Sequence, residues 1–389
     1  MNNYSKNSKK IAKGIIIVFL IFSIGGVGGV YFDQKVLPFI RTNKYLSRIN
    51  LFNRLSENVT VINKTEQVII KEDDSINKIA SQASNAVVNI VSVTNQKETG
   101  AKTIQNVNQS GTGVVVTSDG LIATYRSAII EQDATYQVFL SNRNNYPATL
   151  LNVDEFSDLA FLKIEAPNLT AISLADSADA LPGKKIVAIG NSFGEYQNRY
   201  EGGLLSNVAK TFNLSGKTLA SSEKLEGVFE DDFNNQTEYV GGPVIGYSGD
   251  MIGIIGMQVI NGKEKYFQIP SNIVKNSMNL ILQNKNFDRP YFGAYYISIT
   301  KEYAITNNLD HDRGALIYSP SGKQGLAMIS GSPAENAGLR INDIIVSVNS
   351  QGVNLDNPLS NLIAQYKKGD TIEMTVDRNG EEIKIPVQL

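Results

Sequence analysis

A pair of glycines ahead of a hairpin pattern is the feature that most constrains the fold of this chain. Gly241-Gly242-Pro243 leads into an apolar run at residues 244–246, a Gly249-Asp250 turn and a second apolar run at residues 251–254. Two short apolar runs around a glycine-containing turn predict a β-hairpin. Paired glycines mark a place where the backbone turns tightly or where other atoms approach it closely. The stretch therefore predicts antiparallel strands with a tight loop just before them.

The composition bounds the number of domains and the chemistry of the chain. A chain of 389 residues is longer than one typical domain. Lys+Arg 36 against Asp+Glu 38 leaves the net charge near zero, so we expect no nucleic-acid partner. The absence of cysteine removes disulfides, thiolate chemistry and cysteine metal sites, and we expect neither a metal nor a cofactor. Any Ser-His-Asp machinery would have to use His311, the single histidine.

The N-terminus predicts a membrane anchor. Residues 1–13 are polar and carry four lysines, whereas residues 14–31 form an uncharged apolar run, at about 18 residues near the lower limit for spanning a bilayer. The lysines indicate a cytoplasmic N-terminus and an extracytoplasmic bulk, either periplasmic or extracellular. The alternative is a cleaved secretory signal, but residues 28–31 fit an Ala-x-Ala cleavage site poorly. We therefore expect a single-pass, uncleaved anchor at 14–31 and a stalk at 32–74.

The middle of the chain has the pattern of a β-rich domain. Short apolar segments alternate with turns from Gly111 to about Asn284, without long helical periodicity. Many short antiparallel strands at this spacing predict a sandwich or paired barrels. Apolar residues at helical spacing then predict a helix at 272–284, followed by a linker at 284–290. The predicted strands are 113–116, 121–124, 136–140, 146–153, 159–164, 185–189 and 204–211.

Several short motifs, taken in order, resemble the HtrA/Deg family of trypsin-like serine proteases. They include Gly111-Thr112-Gly113 through Thr124, Ser157-Asp158-Leu159-Ala160-Phe161-Leu162-Lys163, Ala188-Ile189-Gly190-Asn191, Gly241-Gly242-Pro243 and Phe267-Gln268-Ile269-Pro270-Ser271. Each motif alone is a weak signal, but their shared order is specific. The resemblance covers roughly residues 75–389. It implies a mainly β protein, with a chymotrypsin-like double β-barrel at 75–284.

The same resemblance implies that the catalytic triad is degenerate. Ser127 stands where the family has its histidine, and Asp158 falls on the triad aspartate. Val240 stands where the family has its nucleophilic serine, with Tyr239 and Glu238 in place of the preceding asparagine and glycine. Valine has no nucleophilic atom, so an acyl-enzyme cannot form there. Glu238 would also resist the positive φ of an oxyanion loop and place a negative charge beside it. We therefore expect none of these residues to be catalytic.

Other interpretations of the polar residues remain open from the sequence. Without an imidazole to orient, Asp158 is interpreted as a solvated or turn-capping aspartate. His311 lies in a polar loop and is interpreted as an exposed loop histidine. A Ser-Lys dyad that uses Lys217 or Lys224 is not excluded, although no motif surrounds either lysine.

The last hundred residues, 285–389, resemble a PDZ domain. The signature is Gly331-Ser332-Pro333-Ala334 followed by Gly338-Leu339 and Asn342-Asp343-Ile344-Ile345. Asn342 stands in a glycine position, which asparagine tolerates because it adopts the left-handed backbone. PDZ grooves add a peptide as an extra strand and bind its terminal carboxylate with backbone amides. The alternative is that Tyr291 and Phe292 are ordinary core aromatics. The resemblance implies these peptide-binding residues: Tyr291, Phe292, Gly293, Ala294, Leu359, Leu362 and Ile363.

Together these features predict a membrane-anchored, exported HtrA-like pseudoprotease. Its partners would be C-terminal peptides or unfolded exported proteins, with the lipid bilayer bound through 14–31. It would act in envelope protein quality control as a scaffold, a holdase or a regulator of an active relative. The family commonly forms trimers, which implies a homotrimer or a hetero-oligomer with an active HtrA relative. The alternatives are an active serine endopeptidase of envelope proteolysis and a purely structural anchor.

Overall fold

The computed structural model describes most of the chain from residue 81 onward. The described residues are 24–26, 28–31, 34–35, 81–97, 104–191, 197–217, 219–234, 236–283, 289–321 and 327–389. The chain divides into two compact units, Met1–Asp74 and Ser75–Leu389.

In the N-terminal unit, residues 24–26 and 28–31 are helical. The described part of the chain holds no helix that is both long enough and apolar enough to cross a bilayer. The remainder of the predicted anchor at 14–31 lies outside the described residues. The predicted stalk at 32–74 also lies outside them, apart from residues 34–35.

The second unit begins with a closed barrel of six antiparallel strands. Its strands are β1 (Val87–Lys97), β2 (Ile104–Val115), β3 (Leu121–Tyr125), β4 (Ala134–Phe139), β5 (Asn145–Asp154) and β6 (Leu159–Ile164). They hydrogen-bond in the order β1-β2-β3-β6-β5-β4. Alternate side chains along a strand face one side, and Ile90, Ile122 and Leu162 accordingly fill the interior without solvent exposure.

A second closed barrel follows in the chain. Its strands come from β7 (Lys185–Gly190), β8 (Arg199–Asn213), β10 (Glu226–Asp231), β11 (Pro243–Gly246), β12 (Met251–Ile260) and β13 (Lys263–Pro270), while β9 (Ala220–Ser221) lies outside the barrel. The order is β10-β13-β12-β11-β7-β8. The paired-barrel prediction is therefore confirmed, and so is the hairpin at 244–254, which is β11 paired with β12.

One apolar core runs across the junction of the two barrels. The ring of Tyr125 from the first barrel meets Phe267 of the second edge to face, with centroids 5.8 Å apart. Helix α1 (Ser271–Leu282) packs against both barrels and buries Val274. It confirms the helix predicted at 272–284.

The C-terminal part of the unit is a third sheet with short helices. Its strands are β14 (Tyr295–Ser298), β15 (Ala315–Ile317), β16 (Ile344–Val348), β17 (Gln351–Gly352), β18 (Thr371–Arg378) and β19 (Glu381–Gln388), and its helices are α2 (Lys301–Asn307), α3 (Pro333–Asn336) and α4 (Leu359–Ile363). The sheet order is β19-β18-β16-β15-β14-β9. The edge strand β9 thus belongs in sequence to the segment between β8 and β10 of the second barrel.

Two local predictions for this sheet are confirmed. Asn342 adopts a left-handed backbone with φ 71°. The turn between β18 and β19 has φ 58° at Asn379 and φ 88° at Gly380, as a two-residue hairpin turn of this type requires.

A buried ion pair ties the first barrel to the segment that enters the third sheet. The guanidinium of Arg289 donates to both carboxylate oxygens of Asp154, at 2.9 and 2.6 Å, and Ser277 of α1 donates at 2.6 Å. Asp154 is completely buried. Burial opposes its ionisation, but the hydrogen bonds and charge of Arg289 outweigh burial and hold the pKa of Asp154 below its usual value.

Candidate functional site

The glycine loop lies between the two barrels. Residues Gln236–Tyr239 form a 3-10 turn, and Val240 follows with only 7% of its surface exposed. The carbonyl of Val240 accepts a 3.3 Å hydrogen bond from the amide of Thr112 in the first barrel. The position of the family's nucleophile is therefore filled by a buried, apolar side chain at the junction.

Gly241 is required at this junction by both its backbone and its surroundings. It has φ +82°, and a Cβ there would overlap the carbonyl oxygen of Thr112 and the hydroxyl of Thr124. Its amide donates to the carbonyl of Ile255 at 2.8 Å, and the amide of Gly242 donates to the carbonyl of Tyr239 at 2.8 Å. The loop is thus held by packing and hydrogen bonds that are independent of catalysis.

The structure brings the three predicted triad positions together. Ser127 lies in a 3-10 turn, Arg126–Ala128, directly after β3. The amide of Arg126 donates to the carbonyl of Asp158 at 2.8 Å, and Ala128 packs beside Gly241. Ser127, Asp158 and the glycine loop therefore meet at one edge of the barrel junction.

The sequence favours Asp158 as a solvated or turn-capping aspartate; it is buried, and its carboxylate accepts from side chains, so the solvated interpretation is wrong. The residue is 6% exposed and has a positive φ of 55°. Its carboxylate accepts from Lys224 at 3.0 Å, from Gln258 at 3.3 Å and from Arg126 at 3.5 Å. Two cations now neutralise the charge that in a protease would stabilise an imidazolium.

The remaining polar groups near these positions do not form a nucleophile and base pair. Among the described residues, the buried hydroxyl of Ser127 has no hydrogen-bond partner. Lys224 is engaged with Asp158 and with the carbonyl of Glu155, and Lys217 lies over the ring of Tyr295, 5.5 Å from its centroid. Burial, followed by the charge of Asp158, raises the pKa of Tyr125 well above its usual value, so this phenol stays neutral near pH 7.

Glu238 occupies the position of the oxyanion-loop glycine without that glycine's backbone. It belongs to the 3-10 turn and is not among the described residues with positive φ. Its carboxylate pairs with Arg199, at 2.6 Å. This geometry agrees with the prediction that Glu238 obstructs an oxyanion loop at this position.

His311 lies far from these groups in the sequence, in the loop between α2 and β15 of the third sheet. Its Nε2 is 3.0 Å from a carboxylate oxygen of Asp377 in β18, and its side chain is 24% exposed. Hydrogen bonding from His311 lowers the pKa of Asp377. The histidine thus lies in a loop, as predicted, but it is half-buried and paired, so its interpretation as an exposed residue is wrong.

The predicted carboxylate-binding loop of the third sheet does receive a carboxylate. Gly293 has φ +80°, which turns the amides of Phe292 and Gly293 toward the same oxygen of Glu223, at 3.0 and 2.8 Å. Beside them, Ala294 donates to the hydroxyl of Ser222 at 3.0 Å, and its carbonyl accepts from the amide of Ser222 at 3.1 Å. Successive amides directed at one anion form a backbone nest.

The other predicted groove residues are covered rather than open. Phe292, Ala294, Leu359, Leu362 and Ile363 are each at most 2% exposed and belong to one apolar cluster with Ala220 of β9, whereas Tyr291 is 41% exposed. The alternative interpretation of Phe292 as a core aromatic describes its burial correctly. Sequence reasoning missed that Ala220, Ser222 and Glu223 cover these residues, because their segment carries no motif.

A second set of contacts joins the second barrel to the third sheet. Glu226, at the start of β10, is 1% exposed and accepts hydrogen bonds from the hydroxyls of Tyr296 and Ser298 in β14. The side chain of Asn361 in α4 both donates to the carbonyl and accepts from the amide of Glu226, at 2.9 and 3.3 Å. Sequence reasoning missed these residues too.

Comparison with known proteins supports this architecture. Residues 111–254 match the model of the trypsin-like peptidase domain, and residues 305–389 match that of the PDZ domain. The chain is 29% identical over 289 residues to a probable periplasmic serine endoprotease DegP-like of Hahella chejuensis, covering 73% of this chain and 58% of that protein. It is 28% identical over 290 residues to the serine protease Do-like HtrA of Bacillus subtilis, covering 72% and 63%. The chain thus spans about three fifths of these relatives.

Solved structures agree on the fold. The HtrA-type protease AlgW with a tripeptide is similar at a TM-score of 0.62 and 23% identity, covering 80% of this chain and 95% of that one. AlgW with a decapeptide gives a TM-score of 0.61 at 21% identity, covering 80% and 96%. The fold and the site define a trypsin-like peptidase domain joined to a C-terminal PDZ domain. In sequence, the chain is similar to serine proteases of the HtrA/Deg type.

Proposed function

We propose that this protein binds peptides or unfolded exported proteins through its PDZ domain and does not hydrolyse them. The convergence of the Phe292 and Gly293 amides on one carboxylate oxygen carries the binding part of the proposal. A peptide's terminal carboxylate has the chemistry that such a nest accepts. The groove residues are those predicted from the sequence: Tyr291, Phe292, Gly293, Ala294, Leu359, Leu362 and Ile363.

The pseudoprotease part of the proposal is supported by Val240 and Ser127. Val240 offers no nucleophile, and Ser127 offers no base, so the acyl-transfer mechanism lacks two of its three groups. The relatives are named as proteases, which keeps an active serine endopeptidase as the second candidate.

Incubation of the full-length protein with unfolded casein separates these two candidates. We expect no cleavage by the wild-type chain. Cleavage that disappears in Ser127→Ala, Asp158→Asn or Val240→Ala variants would overturn the pseudoprotease proposal. Cleavage that persists in all three variants would indicate a contaminating protease, and repeated purification would remove it.

We further propose that the bulk of the chain is extracytoplasmic and anchored by residues 14–31. The relative from Hahella chejuensis is named as periplasmic, and the lysines before residue 14 favour this orientation. The expected result is that the protein stays with membranes in alkaline carbonate and is digested by protease added to spheroplasts. Release by carbonate would contradict the anchor.

The partners follow from the same proposal. As a scaffold, holdase or regulator, the protein would assemble as a homotrimer or with an active HtrA relative. Affinity capture from the native membrane, followed by mass spectrometry, is expected to recover a relative with an intact triad. The structural-anchor alternative would gain support if a library of C-terminal peptides gave no binding to the PDZ domain.

A further inference from the structure

The predicted peptide groove of the PDZ domain is filled by the protein's own chain. Residues 219–223, which we call the internal segment, lie between β8 and β10 of the second barrel. Within it, β9 pairs antiparallel with β14, with Ser221 opposite Tyr295 and Ala220 opposite Tyr296. An added antiparallel strand at this edge is the geometry by which PDZ domains bind peptides.

The internal segment also supplies the carboxylate that a peptide terminus would supply. One carboxylate oxygen of Glu223 accepts from the amides of Phe292 and Gly293, at 3.0 and 2.8 Å. Next to this carboxylate, the hydroxyl of Ser222 donates to the carbonyl of Ala294 at 3.1 Å. A side-chain carboxylate therefore stands in for the main-chain carboxylate of a bound peptide.

Apolar contacts complete the resemblance to a ligand. Ala220 is 8% exposed and shares a cluster with Tyr296, Leu359 and Ile363. The cluster that contains Ala220 thus includes residues of β14, with which β9 pairs, and of α4. The segment thus provides backbone pairing, a carboxylate and a buried small side chain, in the same groove.

The barrel presents the segment in a fixed shape. The side chain of Asn213, at the end of β8, donates to the carbonyls of Ser221 and Lys224 at 3.2 and 3.0 Å and accepts from the amide of Ser221 at 3.2 Å. A segment held at both ends competes at an effective concentration on the order of millimolar. An external peptide of ordinary affinity would therefore be largely excluded.

We propose that residues 219–223 are an intramolecular ligand of the PDZ groove, and that external C-terminal peptides bind by displacing them. This inference rests on the proposed peptide-binding function. It makes the apparent affinity for an external peptide equal to the intrinsic affinity multiplied by the fraction of molecules with an open groove.

The first test removes the carboxylate. In the full-length protein, Glu223→Ala is expected to tighten binding of a fluorescent peptide with a free C-terminal carboxylate by at least about tenfold, because more molecules have an open groove. Glu165→Ala, which removes an exposed glutamate of the first barrel, is the matched control and leaves the affinity unchanged. Equal affinities in wild type and Glu223→Ala would overturn the inference.

The second test locks the groove closed. Because the chain has no cysteine, Ser221→Cys combined with Tyr295→Cys forms a single pair across β9 and β14, within disulfide range. The oxidised protein is expected to lose peptide binding, and a reducing agent is expected to restore it. The control pair, Thr371→Cys with Gln388→Cys across β18 and β19, changes nothing on oxidation. Equal binding by oxidised and reduced forms would overturn the inference.

Hydrogen exchange separates this inference from the proposed function. Slow exchange at the amides of Phe292 and Gly293 in the peptide-free wild type, and faster exchange in Glu223→Ala, supports the internal ligand. This difference in exchange can be measured even if neither the wild type nor Glu223→Ala binds any peptide. Absence of peptide binding in both proteins would defeat the proposed function but not the internal ligand. Equal exchange in both proteins would defeat the internal ligand alone.

Discussion

The carboxylate of Glu226 accepts a 2.7 Å hydrogen bond from the hydroxyl of Tyr296, and both residues are almost completely buried. Glu226 belongs to the second barrel and Tyr296 to the third sheet, so this contact joins the two. Burial raises the pKa of Glu226 to about 7, although the hydrogen bonds from Ser298 and Tyr296 oppose the rise. The contact is therefore sensitive to pH near neutrality.

Stability is expected to fall as pH rises toward 7 because of Glu226. Its folded-state pKa of about 7 exceeds the ordinary glutamate value of 4.5, so between these two pH values the folded state holds a proton that the unfolded state has released. The contribution of Glu226 to the free energy of unfolding is fully present below about pH 4.5 and is lost as pH rises to about 7. Its upper limit is about 3 kcal/mol. The measurement is the free energy of unfolding of the wild type and Glu226→Gln between pH 5 and pH 8.

The difference between the two proteins isolates this titration, because every other group titrates in both. Wild type is expected to lose stability relative to Glu226→Gln as pH increases. Glu165→Gln, at an exposed position, is the control and should follow the wild type throughout. A difference that does not vary with pH would contradict the raised pKa.

Replacing the valine alone is not expected to create a protease. Val240→Ser supplies a hydroxyl, but Ser127 supplies no base, and loss of triad function costs on the order of a millionfold in rate. We expect no labelling by a fluorophosphonate probe and no cleavage of casein. Ser127→His with Val240→Ser is the comparison: it restores the base and the nucleophile but keeps Glu238 in the loop, so we expect labelling of this double variant at most, and slow labelling. Labelling of the single variant would reveal a base outside the expected triad.

Removing the arginine that pairs with the buried Asp154 is expected to destabilise the second unit. Arg289→Met leaves Asp154 charged, buried and without its cation, a change that typically costs about 3–5 kcal/mol. Urea denaturation at pH 7 measures the loss. Arg340→Met, at an exposed arginine, is the control and is expected to change stability by less than about 0.5 kcal/mol. Equal stabilities of the two variants would contradict the ion pair.

Two glycines with similar backbones are expected to respond differently to alanine. Gly241 and Gly249 have φ +82° and +92°. A Cβ at Gly241 would clash with its neighbours, whereas a Cβ at Gly249 would have no neighbouring atom within 4 Å. Gly249→Ala should cost about 1 kcal/mol from backbone strain. Gly241→Ala should cost at least about 2 kcal/mol more, because the barrels must separate to admit the methyl group. Thermal denaturation of both variants provides the comparison.

The sequence predicted the parts of the site that depend on local pattern. The hairpin after Gly241 and Gly242, the left-handed Asn342 and the Asn379-Gly380 turn were all readable because short stretches determine them. The grouping of Ser127, Asp158 and Val240 followed from a family resemblance. The solvated interpretation of Asp158 failed because its partner Lys224 is distant in the sequence.

What the sequence determined by itself is the strand pattern, the positions of the turns and the identity of the residues at the former triad positions. What only the tertiary structure decided is which groups those residues meet. Glu223 reaches the amides of Phe292 and Gly293 across about 70 residues of chain, and no periodicity marks such a contact. Backbone amides become a carboxylate site only when a positive φ and a distant acceptor coincide, and folding alone brings the two together.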